Sequence, residues 1–203
     1  MGSRALLAPA LVAALAVAAF AGSAAAFSSP TLDASVGRTL GAHGEPNDGG
    51  VSVMFSPMWS AGNRTRFGVA TFVDDIGTTQ KPFVDAAGGA LIGSVADRHR
   101  MTWGFAWRAD HDVLLRRRWS VGVSALTGWW RVVDDLRGTP LEAASAVGLG
   151  VGIDARRKLA ARHEIGIATR WQTMTSDPHA AFQRVHHYAT AALEWRWTVS
   201  ARQ

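Results

Sequence analysis

Apolar and polar positions alternate with a period of two along most of the chain, the spacing of strands that each have one greasy face. The run Trp119-Ser120-Val121-Gly122-Val123-Ser124-Ala125-Leu126-Thr127-Gly128-Trp129 shows it most clearly. Trp119, Val121, Val123, Ala125 and Trp129 share one face, while Ser120, Gly122, Ser124, Leu126 and Gly128 share the other. Trp103, Phe105 and Trp107 alternate with Thr102, Gly104, Ala106 and Arg108, and Val147, Leu149, Val151 and Ile153 alternate with Ala146, Gly148, Gly150, Gly152 and Asp154. Ile165, Ile167, Thr169 and Trp171 oppose Glu164, Gly166, Ala168 and Arg170. Ala191, Leu193, Trp195, Trp197 and Val199 oppose Ala192, Glu194, Arg196 and Thr198. Three earlier segments follow the rule less cleanly: Leu32, Ala34 and Val36 against Asp33, Ser35 and Gly37; Val51, Val53, Phe55 and Trp59 against Ser52, Met54 and Ser56; Phe67, Val69 and Val73 against Arg66, Gly68 and Asp74. Pro57 cannot donate to a strand ladder, so it predicts a bulge or an end in the second of these.

Eight segments make an even number, which an antiparallel up-and-down barrel needs if both termini are to lie on one side. The joins sort by length. Residues 41 to 50, 75 to 99, 132 to 144 and 174 to 186 read as longer connections, rich in Gly, Asp, Pro and His. Residues 61 to 65, 110 to 118 and 154 to 163 read as shorter ones, two of them basic through Arg116-Arg117-Arg118 and Arg156-Arg157-Lys158. Long and short joins in alternation are expected of a barrel that crosses a membrane.

Alternation alone does not say which face points outward; volume does. A soluble barrel with an apolar interior would crowd Trp103, Trp107, Trp119, Trp129, Trp195 and Trp197 into an eight-stranded lumen and leave Gly and Ser outside. The reverse arrangement gives small and charged residues the lumen. It leaves Trp59, Trp103, Trp107, Trp119, Trp129, Trp171, Trp195 and Trp197 as aromatic anchors at the two membrane interfaces. Ten residues separate Trp119 from Trp129, which at about 3.3 Å per residue and a tilt near 45° is roughly 23 Å along the membrane normal. That matches an outer-membrane apolar band. The predicted fold is therefore all-β, an eight-stranded antiparallel up-and-down transmembrane β-barrel over residues 27 to 203.

The first 26 residues stand apart from this pattern. Arg4 supplies a positive start, residues 6 to 20 are an almost unbroken apolar run, and Ala24-Ala25-Ala26 offers small residues for cleavage before Phe27. Residues 1 to 26 read as a signal peptide that is removed, and no later segment reaches the roughly 18 apolar residues of a spanning helix. The rest of the composition agrees with a β-rich envelope protein. There are 21 glycines and 9 tryptophans, and the lack of cysteine excludes disulfides, thiolate metal sites and N-terminal Cys lipidation. The formal charge of +5 rests on arginine far more than on lysine.

Over about residues 31 to 199 the chain resembles the eight-stranded outer-membrane barrel superfamily, the group of OmpA-like, OmpX-like and OmpW-like proteins. The likeness is one of pattern. It implies outer-membrane localisation, contact with membrane lipids and lipopolysaccharide, and insertion by the barrel assembly machinery. Members typically end on a strand with alternating aromatics that this machinery reads; Leu193, Trp195 and Trp197 match, although the chain runs on from Thr198 to Gln203.

Function has to be read from the lumen and the joins. The inward set contains Asp33, Arg66, Arg108, Asp154, Glu164, Arg170, Glu194 and Arg196, with both signs present. In so narrow a barrel these groups are expected to pair and plug the interior through charge-assisted hydrogen bonds. The competing expectation is a polar path for small solutes, with Arg108, Arg170 and Arg196 attracting anions. Two acidic pairs, Asp74-Asp75 and Asp134-Asp135, fall at the outer rim and contain oxygen ligands of the kind Ca²⁺ or Mg²⁺ prefers. Neighbours on a strand point opposite ways, however, so each pair is a divided site, and the pairs read as solvated loop acids. No metal or cofactor is expected.

Ser176, Asp177, His179, His186 and His187 raise the question of a lipid-modifying hydrolase. A triad needs groups held rigidly within hydrogen-bond reach, whereas these cluster in a single loop. Lipid A deacylases of this fold have a strand His-x-Ser; His187-Tyr188-Ala189 lacks the serine, and no enzyme is expected. Nucleic-acid binding would need a basic face with stacking groups, but the clusters Arg116 to Arg118 and Arg156 to Lys158 sit in turns. There they would meet inner-leaflet phosphates or the periplasm. The expected role is that of an envelope structural or adhesin-like surface-interaction protein whose outside partner is unknown.

Overall fold

Each alternating segment becomes one strand of a closed barrel: β1 (Phe27–Ala42), β2 (Val51–Ala61), β3 (Thr65–Lys81), β4 (Ala96–Leu115), β5 (Trp119–Leu136), β6 (Thr139–Ala160), β7 (His163–Ser176) and β8 (Val185–Thr198). This computed structural model describes residues 27–42, 50–81, 96–136, 139–176 and 185–199. Residues 1 to 26 therefore lie outside the described set, as do Asp177 and His179. Every strand pairs antiparallel with its sequence neighbour, and β1 closes the cylinder on β8.

The burial pattern follows the period-two reading. Val36, Phe105, Trp107, Ile153, Ile167 and Leu193 are exposed on the outer wall, while Asp33, Ser56, Ala106, Arg108, Ala168 and Arg196 are buried inside it. Eight of the nine tryptophans take the outward face. The ninth, Trp130, points inward and is completely buried.

Strand lengths depart from the sequence reading. The join expected at 132 to 144 is almost all ladder, since β5 and β6 pair as far as Leu136 opposite Thr139, leaving residues 137–138 between them. That connection is not long, so the strict alternation of long and short joins does not hold. Likewise β4 continues to Leu115 and β6 to Ala160, through stretches read as turns. Outside the apolar band both faces of a strand meet water or the polar lumen, and polar residues there erase the period-two signal. His187 belongs to β8 and not to a loop; its ring stacks on Trp171 at 5.3 Å.

Pro57 neither bulges nor ends β2. Met54 and Phe55 pair with Phe72 and Thr71, and Met58 and Trp59 pair with Gly68 and Phe67 in the same register. The slip in this region lies on the other side, between Ser28 and Thr31 of β1, a stretch that contains Pro30. A second slip, between Asp75 and Gly77 of β3, uses a glycine at φ 98°, a left-handed conformation that residues with a Cβ rarely adopt.

Candidate functional site

The lumen is where charged chemistry gathers, and it has two layers. The lower layer lies toward the termini and the tight turns at 62–64, 116–118 and 161–162. Arg108 of β4 donates from Nε and Nη2 to the two oxygens of Asp110 at 2.8 and 2.9 Å, and from Nη2 to Glu194 Oε1 at 2.8 Å. Arg196 of β8 makes a two-pronged pair with Asp33 of β1, with Nε to Oδ1 at 2.7 Å, and reaches Asp110 Oδ2 at 3.1 Å. Arg170 of β7 donates to the other oxygen of Glu194 at 3.1 Å and lies 3.4 Å from Ser35 Oγ. Below these, Arg156 of β6 binds Asp112 and faces Asp154 Oδ2 at 3.1 Å, and Arg66 of β3 also donates to Asp112, at 3.1 Å. Glu164 sits at the edge of the cluster, 3.6 Å from Arg196, with its side chain 29% exposed.

All eight residues expected in the lumen face it, and ion pairs link them into one connected cluster. Sequence reasoning missed three further members. Asp110 and Asp112 fell in a stretch assigned to a turn, and Arg156 was grouped with the basic turn Arg156-Arg157-Lys158. Continuing the alternation from Arg108 and Asp154 toward the strand ends would have found all of them. The carboxylates of Asp33, Asp110 and Glu194 come within 4.8 Å of one another, as metal ligands do. Arg108 and Arg196 already supply the positive charge between them, so the cluster is complete without a cation.

The upper layer is apolar, which the expectation of a small and polar lumen did not include. Met54, Phe72, Leu126, Trp130, Val132, Met174 and Tyr188 form one buried cluster. The Trp130 ring packs 4.9 Å from Phe72, and its Nε1 donates to Gln172 Oε1 at 3.3 Å. Gly148 makes the room: a Cβ there would come within 2.5 Å of the indole. Inside this layer lies Asp74, one of the acids read as solvated loop residues. It is instead buried and held by three neutral donors, Ser52 Oγ at 2.6 Å, Tyr188 OH at 2.7 Å and Gln172 Nε2 at 3.1 Å. Its neighbour Asp75 points the other way, accepting from the Gly77 amide and pairing with His99, each at 2.8 Å. Asp134 and Asp135 lie on β5, and their side chains fall outside the described set, as do those of Ser176 and His186.

On the outer wall Trp59, Trp103, Trp107, Trp119, Trp171 and Trp195 are exposed, with Trp129 and Trp197 partly so. Trp103 and Trp129 meet edge to face at 5.3 Å near the upper rim, and Trp195 stacks on His163 at 5.7 Å near the lower one. Trp107 lies four residues down β4 from Trp103, roughly 9 Å into the band and not at its rim.

No protein-family model matches the chain, and no curated protein matches it in sequence. Solved structures do match its fold. Neisserial surface protein A superposes with a TM-score of 0.56 at 14% identity, covering 84% of this chain and 97% of that one. A major outer membrane protein from Thermus thermophilus superposes with a TM-score of 0.56 at 10% identity, covering 84% and 98% respectively.

Proposed function

We propose that this chain, which has the fold of the eight-stranded outer-membrane β-barrels, resides in the outer membrane as a plugged structural and surface-interaction protein, and not as a channel or an enzyme. One observation supports this above all: the lumen is filled along its length. Arg108, Arg196, Asp33, Asp110 and Glu194 in the lower layer are each 2% exposed or less, as are Trp130, Met174 and Tyr188 in the upper one. A conducting pore needs a wetted path past its charged groups, and here the guanidiniums that would attract anions are spent on carboxylates.

A sealed lumen directs outside contacts to the joins at the upper end. Lipids and lipopolysaccharide around the aromatic rims, and the assembly machinery during insertion, are the partners this reading implies. The test is reconstitution of residues 27–203 in planar bilayers and in solute-loaded liposomes. The expected result is no conductance step and no swelling, with heat-modifiable gel migration as proof of folding. Discrete steps that scale with salt would restore the channel reading.

A further inference from the structure

We infer that the lower rim of the barrel contains a binding site for the phosphate headgroup of an anionic phospholipid, built on Trp119 and Arg157 beside the turn arginines Arg116, Arg117 and Arg118. The inference rests on the outer-membrane reading. The run Arg156-Arg157-Lys158 is split by the strand: Arg156 turns into the lumen network and Lys158, across the ladder from Glu164, shares its face, so Arg157 alone of the three faces outward. Arg157 lies directly across the ladder from Trp119, and its guanidinium sits over that indole, 5.5 Å from the ring centroid. Stacking holds the guanidinium at the level of the aromatic rim while its N–H groups stay free to fork onto a phosphate.

The surrounding chain concentrates charge at this point. The Lys158 amide donates to the Arg118 carbonyl at 3.0 Å, which ties the tip of the β4–β5 hairpin to the edge of β6. Arg116, Arg117, Arg118, Arg157 and Arg162 are all exposed, and the turns at 116–118 and 161–162 contain no acid. Beside them Leu114, Leu115, Trp119 and Leu159 are exposed as well, at 42 to 61%. Cations over an apolar and aromatic shelf complement a lipid, which brings an acyl chain below its phosphate; a soluble anion would leave the shelf in water. Short turns and both termini mark this end as periplasmic, so the lipid available is that of the inner leaflet and not lipopolysaccharide.

The experiment uses the detergent-folded protein and native mass spectrometry with phosphatidylglycerol and phosphatidylcholine as probes. Phosphatidylglycerol should be retained in preference, and R117Q/R118Q/R157Q should lower that retention at least about tenfold, given three cations near one surface. Retention by the triple variant equal to wild type overturns the inference. So does equal retention of phosphatidylcholine. Full displacement by inorganic phosphate overturns the lipid assignment, because the shelf would then contribute nothing, and so would a preference for carboxylate-bearing peptidoglycan fragments. If the triple variant does not fold, R157K answers the same question, keeping charge but losing the stacked fork, with an expected intermediate retention; unchanged retention counts against the site. Failure of wild type to fold in detergent would be seen first, by gel migration, and would sink the barrel reading itself.

Discussion

Replacing Asp110 by asparagine tests whether the lower lumen is dry. Asp110 is 1% exposed and accepts three hydrogen bonds from two guanidiniums, Arg108 at 2.8 and 2.9 Å and Arg196 at 3.1 Å, with a third, Arg156, at 4.0 Å. Asparagine keeps the volume and one acceptor, but it removes the charge and turns an NH2 donor toward a guanidinium. Hydrogen bonds to charged groups contribute about 1.5–3 kcal/mol each. Removing one partner of a buried ion pair costs about 3–5 kcal/mol, because the other charge is left uncompensated. Asp110→Asn should therefore lower the unfolding free energy by about 3–5 kcal/mol. Urea titration of the detergent-folded barrel reads this, with tryptophan fluorescence as one probe and loss of heat-modifiable migration as the other. Adding Arg108→Met removes the stranded cation, so the double variant should be more stable than the sum of the single losses by about 1–3 kcal/mol. A loss below about 1 kcal/mol for Asp110→Asn, the size measured for solvated pairs, would mean that water fills the cluster, and the sealed lumen would fall with it.

In the upper layer, Trp130→Ala should cost about 3–5 kcal/mol in the same titration while leaving the bilayer silent, since the ionic layer still blocks the path. Conductance in that variant would show that the upper layer alone seals the barrel. Gly148→Val should impair folding by about 1–3 kcal/mol or more, and pairing it with Trp130→Leu should recover much of the loss; no recovery would detach the glycine from the indole. Tyr188→Phe leaves Asp74 one donor short and should cost about 1–3 kcal/mol in urea. Ca²⁺ at millimolar level should leave the wild-type unfolding midpoint in place, and a clear rise would mean that Asp33, Asp110 and Glu194 take a cation despite their arginines.

What could be read from the chain was the part governed by the apolar band. There one face must be greasy, so alternation from Trp119 to Trp129 or from Val147 to Ile153 revealed both strand and orientation. Asp110, Asp112 and Arg156 lie toward the strand ends, where polarity on both faces looks like a turn. Trp130 was hidden differently. It adjoins Trp129, and only one of the two can face lipid; the row Gly128, Gly148 and Gly150 was the available sign that an inward ring had space. The short tie at 137–138 had no signal beyond Thr139-Pro140, which resembles a loop.

Asp33 and Arg196 face each other directly across β1 and β8, the two strands whose meeting closes the cylinder. These are the most distant strands in sequence, and a one-residue slip between them would swing one member of the pair into lipid. A misaligned seam would thus expose a bare charge to hydrocarbon instead of merely losing a contact. Placing a two-pronged ion pair on that seam acts as proofreading: only the correct register can be sealed where the two strands farthest apart in sequence meet.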